Sequence, residues 1–279
     1  MSGDERDKSR RQIESDRYNA RGIAAADRRM LDEAIRAFEK AIELDPDSAH
    51  AHDNLATVYG EKGMYLDALR EYLEAIRLEP DSPTAHYNLA CFLSTHGHEM
   101  AVERYREAIR LEYDYPDAHV NLGLCYVDAG EHEKAIEEFR IACDLDPEDQ
   151  GARRELAASL MDVGELPEAI QTLKDVLKAE PNCADALIDL GLAYALQGFY
   201  EEAERSFLKA REIEPKEVLV VYHLAGLYAL WDRTDEAIER LTEAVQMEPQ
   251  QVRQWVESDR MFDKIRQDAR FVGVLQGAS

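Results

Sequence analysis

Basic charge is what this 279-residue chain lacks most: 33 Lys and Arg stand against 58 Asp and Glu, a formal net charge of −25. A nucleic-acid binder needs a basic footprint to displace the counterions of phosphate, and an anionic membrane surface makes a similar demand. Neither is expected as a partner. No apolar run approaches the ~18–20 residues of a membrane span, and the opening MSGDERDKSRRQIESDR has no apolar stretch of the kind found in a secretory leader. These two absences predict a soluble, cytoplasmic chain.

Cysteine pairs are missing too. Cys91, Cys125, Cys143 and Cys183 are scattered with no C-x-x-C, which fits reduced, small apolar side chains better than a disulfide frame or a zinc site. The exposed H-x-H of His96 and His98 has no carboxylate or Cys constellation beside it, so no metal is expected. The chain has no Gly-rich phosphate loop, H-E-x-x-H, G-x-S-x-G or kinase signature, which predicts no cofactor and no enzyme activity. Its many carboxylates read as solvated helix faces with i,i+4 partners, as in EEAERSF at 201–207.

What is present is one phrase written repeatedly. AIELDPDSAHAHDNLA at 41–56 returns as AIRLEPDSPTAHYNLA at 75–90. Each copy holds a helix end, an acid–proline breaker and a helix start, because Pro cannot continue a helix and biases its predecessor away from α geometry. The breaker recurs at Pro46, Pro80, Pro147, Pro181, Pro215 and Pro249, and Tyr113 fills the remaining place, with Pro116 slightly displaced. The steps are 34, 33, 34, 34, 34 and 34 residues. A fixed period of this length is the mark of a repeat array, in which each unit buries its apolar face only against its neighbours.

With the breaker numbered 32 in each unit, position 20 is Ala34, Ala68, Ala101, Ala135, Ala169, Ala203 and Ala237. Position 8 is always Gly or Ala, and position 27 is Ala except at Val176. Small residues at fixed places mean two helices approach closely there. Large ones fill the spaces between: Leu55, Leu89, Leu122, Leu156, Leu190 and Leu224 at position 7, and Phe38, Tyr72, Tyr105, Phe139, Leu173, Phe207 and Leu241 at position 24. Gly63, Gly97, Gly130, Gly164 and Gly198 at position 15 divide each unit into two helices, since a helix end favours Gly.

This pattern resembles the tetratricopeptide repeat (TPR) family over residues 15–249, as seven units (15–48, 49–82, 83–115, 116–149, 150–183, 184–217 and 218–249). Departures are Arg21, Ala25, Tyr113 and Asp232. The resemblance implies an all-α fold, an α-solenoid in which antiparallel helix pairs wind into a right-handed superhelix and the first helix of each pair lines the concave wall. An open stack needs capped ends. Residues 250–279 are expected to form the C-terminal cap, with Trp255, Phe262, Ile265 and Phe271 covering the last unit. Residues 1–14 read as a charged tail, either poorly ordered or a frayed helix extension.

In the family, position 6 faces the groove, and Asn there can grip a peptide main chain. That position holds Asn54, Asn88 and Asn121 here. An amide offers both donor and acceptor, which suits an extended backbone. The two-Lys, two-Asn, one-Arg clamp of TPR domains that bind chaperone tails is not matched: its cationic places hold residues such as Asn19, Asp53, Thr84, Asp117 and Glu155. The same wall carries Asp53, Glu61, Asp117, Asp128, Glu155, Asp162, Asp185 and Asp189, and later Val120, Leu124, Ile188, Leu192, Leu196, Leu219, Tyr222 and Leu230. The expectation is a protein-interaction adaptor whose groove takes a protein or peptide segment with Lys or Arg and a few apolar anchors. Self-association as a scaffold or homo-oligomer, burial of the late apolar residues under a returning tail, and service as a regulatory subunit of an enzyme complex stay open. His52, His86 and His119 at position 4 read as packing residues.

Overall fold

In a computed structural model, which describes residues 3–94 and 98–277, the described residues form helices and no strand. Gly97 and His96 lie outside the described residues. The chain divides into two compact units, Met1–Glu131 with Asp144–Asp146, and His132–Cys143 with Pro147–Ser279.

The first unit contains α1 (Gly3–Ala26), α2 (Leu31–Leu44), α3 (Ala49–Glu61), α4 (Tyr65–Leu78), α5 (Pro83–Ser94), α6 (His98–Leu111) and α7 (Pro116–Asp128). The second contains most of α8 (His132–Leu145), then α9 (Gln150–Asp162), α10 (Leu166–Ala179), α11 (Ala184–Gln197), α12 (Tyr200–Ile213), α13 (Val218–Leu230), α14 (Thr234–Met247), α15 (Pro249–Ser258), a 3-10 turn (Arg260–Phe262) and α16 (Ala269–Gln276). Within each unit the helices pair into hairpins, α1 with α2, α3 with α4, α5 with α6, and later α9 with α10, α11 with α12, α13 with α14. Within each unit successive hairpins stack on one another, as in an α-solenoid. Helix α1 runs from Gly3 to Ala26. The buried Ser15 ties it down by donating its hydroxyl hydrogen to the Ala41 carbonyl at 2.8 Å.

The second helix of each pair is amphipathic. In α2 the buried residues are Ala34, Ile35, Ala37, Phe38 and Ala41, one stripe at helical spacing. Asp32 and Glu33 sit in its first turn, where the helix dipole favours acid. Ala34, Ala68, Ala101, Ala135, Ala169, Ala203 and Ala237 have no exposed surface.

Close approach sets residue size more finely than the repeat pattern indicates. A Cβ placed on Gly22 would lie 2.4 Å from the Phe38 ring, and one on Gly191 would lie 2.6 Å from the Phe207 ring. Phe at position 24 therefore requires Gly at position 8. Repeats with Tyr or Leu at position 24 carry Ala at position 8, as in Ala56 with Tyr72, Ala157 with Leu173 and Ala225 with Leu241.

The turns have their own bonding. Gly63, Gly130, Gly164 and Gly198 take positive φ between the helices of a repeat, while Arg29 and Asp232 adopt φ 60 at the equivalent places. Lys264 braces the Asp232 turn, donating to its carboxylate at 2.8 Å and to the Leu230 carbonyl at 2.7 Å. At the breakers, the buried His52, His86 and His119 donate from Nε2 to the carbonyls of Pro46 (3.1 Å), Pro80 (3.0 Å) and Tyr113 (3.1 Å). Each imidazole thus satisfies a carbonyl that the broken helix leaves over. The Nδ1 of His52 also faces Glu71 at 2.6 Å. Burial lowers its pKa, but Glu71 and the Pro46 carbonyl outweigh that and the net shift is upward.

The residues after α14 pack on it and on α13. Phe262, Ile265 and Phe271 are buried, while Trp255 is partly buried with its ring centroid 5.1 Å from that of Tyr222. Arg266 holds the chain reversal together by donating to the carbonyls of Val256 at 3.0 Å and Asp259 at 2.6 Å.

Candidate functional site

In the first unit the first helices of successive repeats lie side by side, and their positions 5 and 6 form a column of polar contacts. Asn54 Nδ2 donates to Asn19 Oδ1 at 3.0 Å, Asn88 Nδ2 to Asp53 Oδ2 at 2.6 Å, and Asn121 Nδ2 to the Tyr87 hydroxyl at 3.0 Å. Asn121 also donates to the Asp117 carbonyl at 2.9 Å. Position 6 thus reaches back to position 5 of the preceding repeat. The three Asn residues hold neighbouring repeats together through their NH2 groups, and their Oδ1 atoms accept no hydrogen bond among the described residues. This column was missed in the sequence. The available signal was a hydrogen-bond acceptor at position 5 in each of the first three repeats: Asn19, Asp53 and Tyr87.

Asp53 stands apart in this column. It lines a cleft of about 440 Å³ in the first unit, together with Asn19, Asn54, Ser82, Thr84 and Asn88. Its Oδ1 is buried without a hydrogen-bond partner. Burial pushes its carboxyl up to about 6, against the downward pulls of the Asn88 hydrogen bond and of His50. In the second unit Asp189 is likewise pushed up to about 6 by burial, although Arg154 pulls it down. Arg154 lies between two carboxylates, 3.1 Å from Asp185 and 3.7 Å from Asp189.

The apolar candidates divide. Leu196 is 62% exposed, and Leu124 and Leu192 are partly exposed. Ile188 and Tyr222 are buried, and their selection as partner-contacting residues is corrected. Ile188 belongs to the second unit's core. Tyr222 is covered by the C-terminal segment: its ring packs 5.4 Å from Phe262, and its hydroxyl donates to Asp259 Oδ2 at 2.7 Å. The returning tail has taken that part of the wall. Next to it, His223 has a buried Nδ1 without a hydrogen-bond partner, and burial lowers its pKa to about 4. Among the described residues no cluster of three or more His, Cys, Asp or Glu could hold a metal ion. None of the described helices is long and apolar enough to cross a membrane.

Comparison with known proteins bears on the family and the fold. A family model for the tetratricopeptide repeat matches residues 92–150 and 154–218, and a second TPR model matches 30–63 and 57–91. No curated protein sequence matches the chain. Among solved structures, YrrB, described as a TPR protein with an unusual peptide-binding site, is 26% identical, covering 67% of this chain and 97% of that one at a TM-score of 0.60. MamA is 27% identical, covering 61% of this chain and 94% of that one at a TM-score of 0.53. PilF of Pseudomonas aeruginosa covers 75% and 95% at a TM-score of 0.65, but at 24% identity it speaks for the fold alone. The stacked hairpins, their columns of small residues and the matches along residues 30–218 establish that this chain belongs to the tetratricopeptide repeat family.

Proposed function

We propose that this TPR protein is a non-catalytic cytoplasmic adaptor that binds a segment of a partner protein along the exposed face of its first helices. The reading takes residues 15–249 as seven repeats and 250–279 as their cap. TPR repeats serve generally in protein interaction, and the 26%-identical YrrB is described as carrying a peptide-binding site. The observation that carries the reading is the surface of α11. Leu196 is 62% exposed on a helix whose other face is buried, with partly exposed Leu192 one turn away and the carboxylates of Asp185 and Asp189 on the same helix. Apolar side chains exposed among acids suit a segment that pairs bulky anchors with Lys or Arg. Asn54, Asn88 and Asn121 contribute their amide oxygens, which can accept from a bound main chain, and Leu124 adds apolar surface in the first unit.

The test is selection of a displayed random peptide library on the intact protein, followed by titration of the enriched peptides against wild type and the Leu192→Asp/Leu196→Asp double variant. Affinity should fall at least tenfold in the variant. Unchanged affinity would remove this surface from consideration.

A further inference from the structure

We propose that the cleft on α1, α3 and α5 is a socket for one cationic side chain, a lysine or arginine of the partner segment, with Asp53 as its counter-ion. The proposal deepens the adaptor reading and rests on it.

Three observations lead there. The first is redundancy within the column. Position 5 accepts a hydrogen bond from the following repeat's Asn three times, through Asn19, Asp53 and Tyr87. Two of those acceptors are neutral, so holding the neighbouring repeat needs no charge. The negative charge of Asp53 is additional to that structural task.

The second is incomplete pairing. An ionised carboxylate offers about four acceptor sites. Asp53 Oδ2 receives Asn88, while Oδ1 is buried with no partner. Acids on the second helices of the same repeats have cations at hand, such as Glu74 on α4 with Arg77 at 2.6 Å and Glu107 on α6 with Arg110 at 2.6 Å. Among the described residues no Lys or Arg makes an ion pair with Asp53. The side chain as a whole is partly buried and lines the cleft, so its charge stands where a fixed cation can meet it.

The third is the lining. Asn19, Asn54, Ser82, Thr84, Glu79 and Asn88 line the cleft with acceptors and a second carboxylate; the imidazole of His50 is its one basic group, and no Lys or Arg lines it. An ammonium or guanidinium brings only donors, which these groups can receive. An anionic ligand would meet two carboxylates, and among the described residues no group of three or more His, Cys, Asp or Glu is arranged to hold a metal ion. The net charge of −25 steers a cation toward the surface.

The probe is Nα-acetyl-lysine methylamide, with its norleucine analogue as the uncharged isostere. Each is titrated at low salt into the full-length 15N-labelled protein while the side-chain amide signals of Asn54 and Asn88 are followed. The expected result is a saturable shift with the lysine probe, at least tenfold weaker with norleucine. The shift should be lost in Asp53→Asn and in Asp53→Ser, and kept in Leu192→Asp/Leu196→Asp. Asn19 occupies the same column, which makes Asp53→Asn a fold-preserving change; Asp53→Ser serves as a second acceptor-bearing variant. Equal responses to the two probes, a shift that survives both substitutions, or no saturable shift would overturn the proposal. Failure of the socket is distinguishable from failure of the adaptor reading. Library peptides that bind but are insensitive to Asp53→Asn would remove the socket alone, whereas peptides insensitive to Leu192→Asp/Leu196→Asp would count against the α11 surface.

Discussion

Replacing Asp53 by Asn should make the protein more stable at neutral pH, although the native residue accepts a 2.6 Å hydrogen bond. The substitution keeps an acceptor for Asn88 and recreates the Asn19–Asn54 pair one repeat further on. What it removes is a partly buried charge. The carboxyl is raised from 3.8 to about 6 in the folded protein. A shift of roughly 2 units corresponds to about 3 kcal/mol favouring the neutral form. The new NH2 group must itself find a partner or water, which takes back ~1–2 kcal/mol, leaving a net gain of ~1–2 kcal/mol. For a unit of this size that is a rise in melting temperature of roughly 2–8 °C. The sign with pH follows from linkage. Folded Asp53 holds its proton more tightly than the unfolded chain does, so its contribution to stability is fully present below about pH 4 and is lost as pH rises through about 6. Asn does not titrate. The difference between the two proteins should therefore be small near pH 4, open between pH 4 and 6, and stay constant above that. The assay is urea and thermal unfolding of both proteins from pH 4 to 8, with hydrogen exchange in α3 and α5 locating the effect in the first unit. A pH-independent difference, or a less stable Asp53→Asn at pH 7.5, would refute the reasoning.

Two further changes test the packing. Gly191→Ala gains about 1 kcal/mol of helix propensity, but its methyl would meet the Phe207 ring at 2.6 Å, and overpacking of that kind costs about 1–3 kcal/mol. Net destabilisation is expected, and Phe207→Leu should relieve it by creating the Ala–Leu pair already present as Ala157 with Leu173. A double-mutant cycle should give a coupling of about 1 kcal/mol or more; additivity within ~0.5 kcal/mol would count against the clash. Phe262→Ala empties a fully buried site under the cap and should cost ~3–5 kcal/mol. Hydrogen exchange should show α13 and α14 losing protection while the first unit is unchanged; uniform loss over both units would contradict nearest-neighbour stabilisation of the stack.

The periodic sequence alone determined the helical hairpins, the family and the buried columns. Ala34 through Ala237 recur because each is fully buried at the same place in its own repeat, a relation that the period displays directly. Phe262, Ile265 and Phe271, large apolar residues beyond the last full period, are buried. Only the tertiary structure decided which groove side chains remain available. Asn54, Asn88 and Asn121 looked alike as peptide-gripping amides, yet their donors are engaged 35, 35 and 34 residues back, in contacts that depend on how repeats stack. Tyr222 occupies the same register as Asp53 and Tyr87, but the chain reverses after Asp259 and buries it. A repeat pattern assigns every equivalent position the same face. Whether that face meets water, the next repeat or the returning tail depends on contacts between residues far apart in the chain, and so Asp53 keeps an unpaired oxygen while Tyr222 is buried.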